Sequence, residues 1–383
     1  MSERKLATIR IVKAIDPIPG ADKIEKVTVD GWELVAQKDL YTVGSKVVYC
    51  EIDSYLPIKP EYEFLRKSSY KAFVNGVEGF RLKTIKLRGQ ISQGLLLPLE
   101  VIKTWKMRLI GTSAYPVGTD VTDILGIMKY EPELLGQVHL KRSYFVRRYL
   151  QVKWFLKNLF MTSEQKKKQP GSFPSFIRKT DEERIQNLDI KKFRGQRYEV
   201  TEKLDGTSCS IAYYNDTFYV CSRNNKVGLQ LGEENQSIGA FSGAYWKIAL
   251  KYGLEEKLKA FTLRTGDSIA IQGEIVGPGI QKNKYKLTET EFYVYKIWCI
   301  NRQIFAGSVY RYDICKEMGL KQVPILEYAH EFKFDNVADI LTYSEGESKI
   351  CGSQEREGVV FKEISGDHSF KVINNKFLLK NGE

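Results

Sequence analysis

Thr201-Glu-Lys-Leu-Asp-Gly-Thr-Ser208 places a lysine two residues before an aspartate and three before a glycine, between two β-prone runs. Residues 196–201 lead into it, with Tyr198 and Val200 two apart, and residues 208–214 lead out. Asn215-Asp216 is a turn signal, and residues 217–222 return as a second strand. A register symmetric about that turn sets position 208 opposite 223, so Arg223 comes back beside Lys203 and Asp205. Taken alone, the four residues Lys203, Leu204, Asp205 and Gly206 also suit an ordinary turn.

An amine beside a carboxylate and a glycine has a chemical use. Lysine keeps its proton up to roughly pH 10, so a nucleophilic Lys203 needs that value lowered by neighbouring cations or a bound metal. Asp205 is a ligand for such a metal, and Gly206 lets the backbone approach a phosphate.

The pattern continues downstream. Residues 269–276 read as a strand carrying Glu274, residues 292–300 as an aromatic strand with Phe292, Tyr293 and Tyr295, and Arg356-Glu357-Gly358-Val-Val-Phe-Lys362 as a third. Ser369-Phe-Lys371-Val-Ile373 is a fourth. In this order, from Lys203 to Lys371, the chain resembles the covalent nucleotidyltransferases, ATP-dependent ligases and capping guanylyltransferases, through their motifs I, Ia, III, IIIa, IV and V. Phe173-Pro-Ser-Phe-Ile-Arg178-Lys179-Thr180-Asp181, with Arg184 and Asn187 beyond, resembles the segment upstream of motif I in RNA ligases of the Deinococcus and Naegleria type. Those enzymes also place a barrel before the catalytic domain. The same stretch reads locally as a turn and then a helix start capped by Thr180 or Asp181.

The resemblance implies an adenylyltransferase domain over residues 173–383, of antiparallel sheets with helices, ATP-grasp-like in build. It implies Lys203 as the nucleophile toward ATP, with Glu202, Leu204, Arg223, Glu274, Tyr295, Lys371 and Arg184 serving the nucleotide. Asp205, Glu274 and Glu357 then converge as carboxylates, which repel unless Mg2+ or Mn2+ holds them together. If the hairpin across Ser365-Gly366-Asp367 pairs 361 with 371, Glu357 and Lys371 share a face, and a slip of one residue separates them. Motif V departs from its usual form: Ile373 stands where a second lysine is expected. Twelve residues follow Lys371, too few for a terminal barrel with the basic motif VI. A second metal with Arg178, Lys179 or Arg184 is the expected substitute for orienting pyrophosphate.

The preceding residues supply the barrel. Short strands are expected at 7–14, at 26–29 and 32–36 across Asp30-Gly31, at 46–52 and at 81–87, and residues 94–99 are a short apolar run. Five strands with Gly-rich turns over residues 1–125 fit an oligonucleotide-binding (OB) barrel, giving an α+β chain overall. Pro19-Gly20-Ala21-Asp22 and Leu87-Arg88-Gly89-Gln90 also resemble the tRNA-binding barrel of some synthetase-associated proteins. Arg81, Lys83, Lys86 and Arg88 suit phosphate contacts or a solvated strand face. Residues 126–172 form a connecting segment. Within it, residues 139–168 hold nine Lys or Arg against Glu164 alone, interleaved with six aromatics. That mixture suits a nucleic-acid strand, a membrane surface, or a helix packing its aromatics on a core.

Composition agrees with a nucleic-acid enzyme without proving one. The 383 residues carry 59 Lys plus Arg against 47 Asp plus Glu, a net charge of +12, which favours a polyanionic partner. Six scattered cysteines argue for reduced thiols in an intracellular, reducing compartment, and three histidines leave little for His-based chemistry. Neither a secretory leader nor a stretch able to span a bilayer is evident. The resulting expectation is a monomeric ATP-dependent RNA ligase acting on 5′-phosphate and 3′-hydroxyl ends, with nicked duplex RNA as partner. A DNA ligase, a guanylyltransferase and a non-catalytic RNA-binding protein are the alternatives.

Overall fold

Alternation of apolar residues builds the first sheet: Ile24–Val29 buries every second side chain, and the turn into Trp32–Gln37 is closed by Asp30 in a left-handed conformation, φ 51°. The strand Ala7–Pro17 pairs with Ile24–Val29 on one edge and Lys46–Cys50 on the other, and a bulge between Val12 and Ala14 bends it between the two. Leu95–Leu97 completes five strands. A four-stranded sheet follows, in the order Met128–Lys129, Ser54–Pro57, Glu78–Arg81, Tyr70–Ala72, with a separate hairpin of Thr84–Leu87 and Gln90–Gln93. The single strand expected over 81–87 is thus two. Ile9, Val48, Leu56, Phe80, Leu97 and Val121 form the shared core.

The computed structural model describes residues 4–73, 76–102, 115–131, 171–228, 241–364 and 368–381. The basic, aromatic stretch 139–168 lies outside them. They divide into two units, and the first takes Gln186–Leu188 and Asn375–Glu383 in addition to Met1–Tyr149. Trp32 Nε1 donates to Asn187 Oδ1 at 2.7 Å, and Gln93 Nε2 to Asn375 Oδ1 at 3.1 Å. The barrel unit therefore draws on three stretches of chain rather than on residues 1–125 alone.

The second unit, Leu150–Ile185 and Asp189–Asn374, is built on two sheets. One has five strands in the order Glu183–Arg184, Ser369–Ile373, Gly358–Glu363, Arg197–Lys203, Ile325–Glu331. The other has eight, including the adjacent run Thr217–Cys221, Thr207–Tyr214, Ile269–Val276, Glu291–Cys299. Helices Phe241–Lys251, Leu254–Thr265 and Ser308–Met318 contribute Tyr245, Leu258, Phe261, Ile314 and Met318 to the core against the larger sheet. The chain passes from the smaller sheet to the larger through Leu204-Asp205-Gly206, so the turn quoted at the outset joins them.

Register divides the smaller sheet into two faces. Glu199, Thr201 and Lys203 lie opposite Lys362, Val360 and Gly358, which lie opposite Ser369, Lys371 and Ile373. Directly opposed residues share a face, so this face is polar. The other carries Tyr198, Phe361 and Phe370, and the two phenylalanine rings stack at 5.0 Å with Phe193 on Phe370. The hairpin 358–373 pairs 361 with 370, not with 371. That one-residue difference puts Lys371 on the face of Lys203.

A helix starting at 180 does not form. Glu183–Arg184 is instead a short strand parallel to Ser369–Ile373, with Arg184 opposite Lys371. Asp181 and Glu182 are taken up by Arg223, Lys371 and Lys296, and these tertiary ion pairs override the local capping signal.

Gly358 has φ +156°, and a Cβ there lies 2.1 Å from the Val372 carbonyl oxygen. Gly358→Ala is expected to lower the unfolding free energy by on the order of 3 kcal/mol, measured by urea titration against wild type.

Candidate active site

Lys203 ends its strand with the side chain on the polar face, and Nζ donates to Glu357 Oε1 at 2.6 Å. Glu357 sits immediately before Gly358, which is the residue opposite Lys203. Its carbonyl accepts the Asn374 N–H at 2.8 Å, while Asn374 Nδ2 donates to the Arg356 carbonyl at 3.2 Å. The Arg356 guanidinium donates to the carbonyls of Tyr343, Ser344 and Glu345. Glu357 is therefore fixed on both sides by backbone contacts.

Beyond the turn, the Gly206 N–H donates to Glu274 Oε1 at 3.2 Å. A Cβ at 206 lies 2.2 Å from the Ile275 carbonyl oxygen, so glycine is required where the two sheets meet. Asp205 pairs with Lys284 through Oδ2, and its N–H donates to the Tyr285 hydroxyl at 2.7 Å.

These acids act on one another. Burial pushes the Glu274 carboxyl up to about 8, Glu357 and Asp205 add to the rise, and Lys203 and Arg223 oppose it. Burial disfavours a charged Lys203, yet Glu357, Glu274 and Asp205 outweigh it and hold the ammonium above the ordinary lysine range. The pKa of Lys203 thus stands opposite to the lowered value that a nucleophilic lysine needs. Its cause is plain: the neighbours supply negative charge. Among the described residues no three His, Cys, Asp or Glu are gathered as a ready cation cage; Asp205 and Glu357 are each engaged by an ammonium group.

A second group lies along the same face. Asp181 joins Arg223 and Lys371, at 2.8 Å and 3.2 Å. Arg184, 6 % exposed, lies opposite Lys371 in register. The register 210 with 221 and 214 with 217 is the symmetric one expected for the hairpin that returns Arg223. Arg178 lies over Trp298 and Phe305, and Lys179 lies over Phe173 and donates to Asn224 Oδ1 at 3.4 Å, next to Arg223. Tyr295 exchanges hydrogen bonds with Ser208 at 2.8 Å and Thr180 at 3.1 Å.

Leu204 is buried with Val276, Tyr285 and Val323, and Tyr293, Tyr295, Ile350 and Cys351 pack around them. This is an apolar pocket wall next to the lysine. Strand alternation turns Glu202 to the face opposite Lys203. Its Oε2 accepts the Lys349 N–H at 2.8 Å, while Oε1 is buried without a hydrogen-bond partner among the described residues. Burial raises this carboxyl's pKa.

Three sets of residues escaped the sequence reading. Asp181 was taken as a helix cap, Lys284 and Tyr285 lie in a loop without a motif, and a buried network under the site joins distant strands. In that network Arg311 donates to both oxygens of Glu199 at 2.8 Å, Lys362 donates to the Tyr295 carbonyl at 2.8 Å, and Lys296 pairs with Glu182 at 2.6 Å. The period-2 pattern placing Glu199, Lys203 and Lys362 with Ser369 and Lys371 was the available signal.

An OB-type barrel unit together with a two-sheet unit whose lysine stands among carboxylates is the build of a nucleotide-transferring enzyme acting on nucleic acid. The OB-fold domain family matches residues 6–99 and the RNA ligase family matches residues 196–373. Among solved structures, Naegleria gruberi RNA ligase with PPi is 35% identical, with 98% of each chain covered and a TM-score of 0.77. A substituted form with ATP and Mn is 34% identical over 100% of this chain and 99% of that one, and another with AMP and Mn is 34% identical over 98% of each, both with a TM-score of 0.77. No curated protein sequence matches the chain. The chain belongs to the RNA ligase family. All six cysteines are free thiols, and among the described residues no helix is long and apolar enough to cross a membrane.

A carboxyl held at about 8 keeps a proton in the folded chain that the unfolded chain releases near 4.5. The folded state then binds more protons across that interval, so this group's effect on stability is fully present at low pH and is lost as pH rises toward 8. In metal-free protein, Glu274→Gln is expected to flatten the fall in urea-unfolding stability across this range relative to wild type.

Proposed function

We propose that this enzyme seals RNA ends with ATP through a lysyl-AMP intermediate and an RNA 5′ end carrying AMP. The observation that carries the reading is Lys203 at 2.6 Å from Glu357, beside an apolar wall on one side and the cations Arg223 and Lys371 on the other. The Naegleria gruberi enzyme solved with ATP or AMP and Mn supports the choice of nucleotide and metal.

The residues present suit these ligands. Leu204, Tyr293 and Tyr295 offer a purine an apolar surface, with Tyr295 the stacking candidate, and the orphaned Oε1 of Glu202 is an acceptor at its edge. Lys371, Arg223 and Arg184 serve the phosphates. Asp205, Glu274 and Glu357 are hard oxygen donors of the kind that holds Mg2+ or Mn2+, and Glu274 is raised by burial first and by the other two carboxylates second, a charge balance that a divalent ion would relieve. Such an ion, once bound, neutralises these carboxylates, removes what holds the Lys203 proton and stabilises charge on the phosphate.

Lys203 must first lose its proton, and Glu357 Oε1 lies within hydrogen-bond reach to accept it. The Nζ lone pair then forms a bond to the α-phosphorus while the bond from that phosphorus to the bridging oxygen breaks, and pyrophosphate leaves with the electron pair. The second amine proton is lost to give the neutral phosphoramide. Charge grows on the phosphate oxygens in this step, so Lys371 and Arg223, fixed in place beforehand, lower the barrier. The AMP passes next to an RNA 5′-phosphate. A 3′-hydroxyl displaces AMP to form the phosphodiester, with nicked duplex RNA as the proposed substrate.

Incubation with α-labelled ATP is expected to leave an acid-stable protein adduct, and Lys203→Ala to abolish both the adduct and sealing of nicked RNA. Label taken from GTP alone, or sealing unchanged in Lys203→Ala, refutes the reading.

A further inference from the structure

Residues 277–287 form a strap fastened across the turn that follows Lys203. Tyr285 accepts the Asp205 N–H at 2.7 Å, and Gln281 Nε2 reaches the Gly206 carbonyl at 3.5 Å. Lys284 pairs with the Asp205 carboxylate, and its side chain is 14% exposed. The strap is tied at its base by Asn283, whose amide donates to the Leu287 carbonyl at 2.9 Å and whose Oδ1 accepts the Leu287 N–H at 3.1 Å.

Its backbone is unusual. Gln281, Lys282, Asn283 and Lys286 have φ of 43°, 59°, 49° and 54°, a left-handed region that residues with a side chain rarely adopt. Such conformations persist where surrounding contacts over-determine them, and they gather at functional sites. Here they deliver a lysine ammonium to the carboxylate two residues past the nucleophile.

The charge arrangement says what that ammonium is for. Arg223 and Lys371 share one carboxylate, Asp181, so the three together offer a phosphate a small net positive charge. Along the strand Ser369–Ile373, the position opposite Gly358 is Ile373, 2 % exposed, so that strand offers Lys371 as its one cation. A polyphosphate brings more negative charge than these groups offset. Lys284 is the further cation within the turn's own contacts, and Asp205 holds it in an ion pair where a phosphate oxygen can replace the carboxylate.

We infer that Lys284 is a phosphate-binding residue of this site, presented by the strained strap and held by Asp205 until nucleotide enters. The inference rests on the ATP-dependent reading above.

The test is binding, in a Lys203→Met background that cannot form the adduct. ATP affinity is measured by calorimetry and adenosine affinity by competition. Adding Lys284→Met is expected to weaken ATP by about tenfold or more, the scale of a lost charge-assisted contact, with adenosine unchanged. Lys284→Arg keeps most of the ATP affinity. Equal weakening of ATP and adenosine means that Lys284 acts only by shaping the turn, and overturns the inference. Unchanged ATP affinity overturns it too. Failure of the Lys203→Met protein itself to bind ATP overturns the ligase reading, and this inference with it.

Discussion

The ion pair between Lys203 and Glu357 depends on one strand pairing, and most of the site depends on that pair. Lys203 lies opposite Gly358, so the residue before the glycine is delivered to the end of the lysine's strand. Only a residue without a Cβ allows this, since Gly358 sits against the Val372 carbonyl at a distance no side chain tolerates. The sequence Arg356-Glu357-Gly358 is then a mechanical unit. Arg356 closes the end of the helix Val337–Tyr343 through three carbonyls, Gly358 fixes the strand spacing, and Glu357 is held between them. Lys203 and Glu357 are far apart in sequence, but few degrees of freedom separate them in the fold.

Electrostatically, the site is a set of ion pairs. Lys203 is matched by Glu357, Lys284 by Asp205, and Arg223 with Lys371 by Asp181. Each pair keeps a partly desolvated charge from being stranded, which is costly when a partner is lost. Each also blocks chemistry, because a lysine held as an ammonium has no lone pair to offer. Under the proposed reading, an anionic nucleotide bound with a cation would exchange partners throughout this set and free Lys203 to act as the nucleophile. Glu274 differs from the other acids. Its carboxylate accepts the Gly206 N–H, and burial first, then the nearby Glu357 and Asp205, push its pKa up.

What the sequence disclosed followed from periodicity and local order. The hairpin register returning Arg223, the strand Ile269–Val276 with Glu274 and the strand Ser369–Ile373 with Lys371 were legible because alternation and turn residues determine them locally. The barrel strands were legible for the same reason. The failures share a different cause. Thr180-Asp181-Glu182 has the chemistry of a helix cap, and only partners far away in sequence, Arg223, Lys371 and Lys296, pull it into an extended path. The 361 to 370 pairing differs by one residue from the one expected, because residue types alone do not fix the register of such a hairpin. Glu202, which the resemblance assigns to the base, shows a placement that its position beside Lys203 did not disclose. Adjacency along a strand means opposite faces, and its carboxylate is turned to Lys349.

The buried network beneath the polar face explains why the segment 180–184 holds its extended course. Glu199 and Lys362 lie opposite each other, and Lys362 lies opposite Ser369, so three strands contribute to one row. Arg311 comes from the helix Ser308–Met318 to bind Glu199, and Lys296 from the aromatic strand to bind Glu182. Burial, with Arg311 and Lys296 nearby, pushes the Lys362 amine down to about 7, while Glu199 and Glu182 oppose the fall. Such a cluster is a poor source of stability, because the desolvation of each ion offsets much of the attraction. Apolar residues of similar volume could fill the space. What they could not do is fix Glu182, and through it the neighbouring Asp181, at a defined point over Arg223 and Lys371. The row of charges is therefore understood through placement: it converts the register of three strands into the position of the carboxylate that pairs with Arg223 and Lys371.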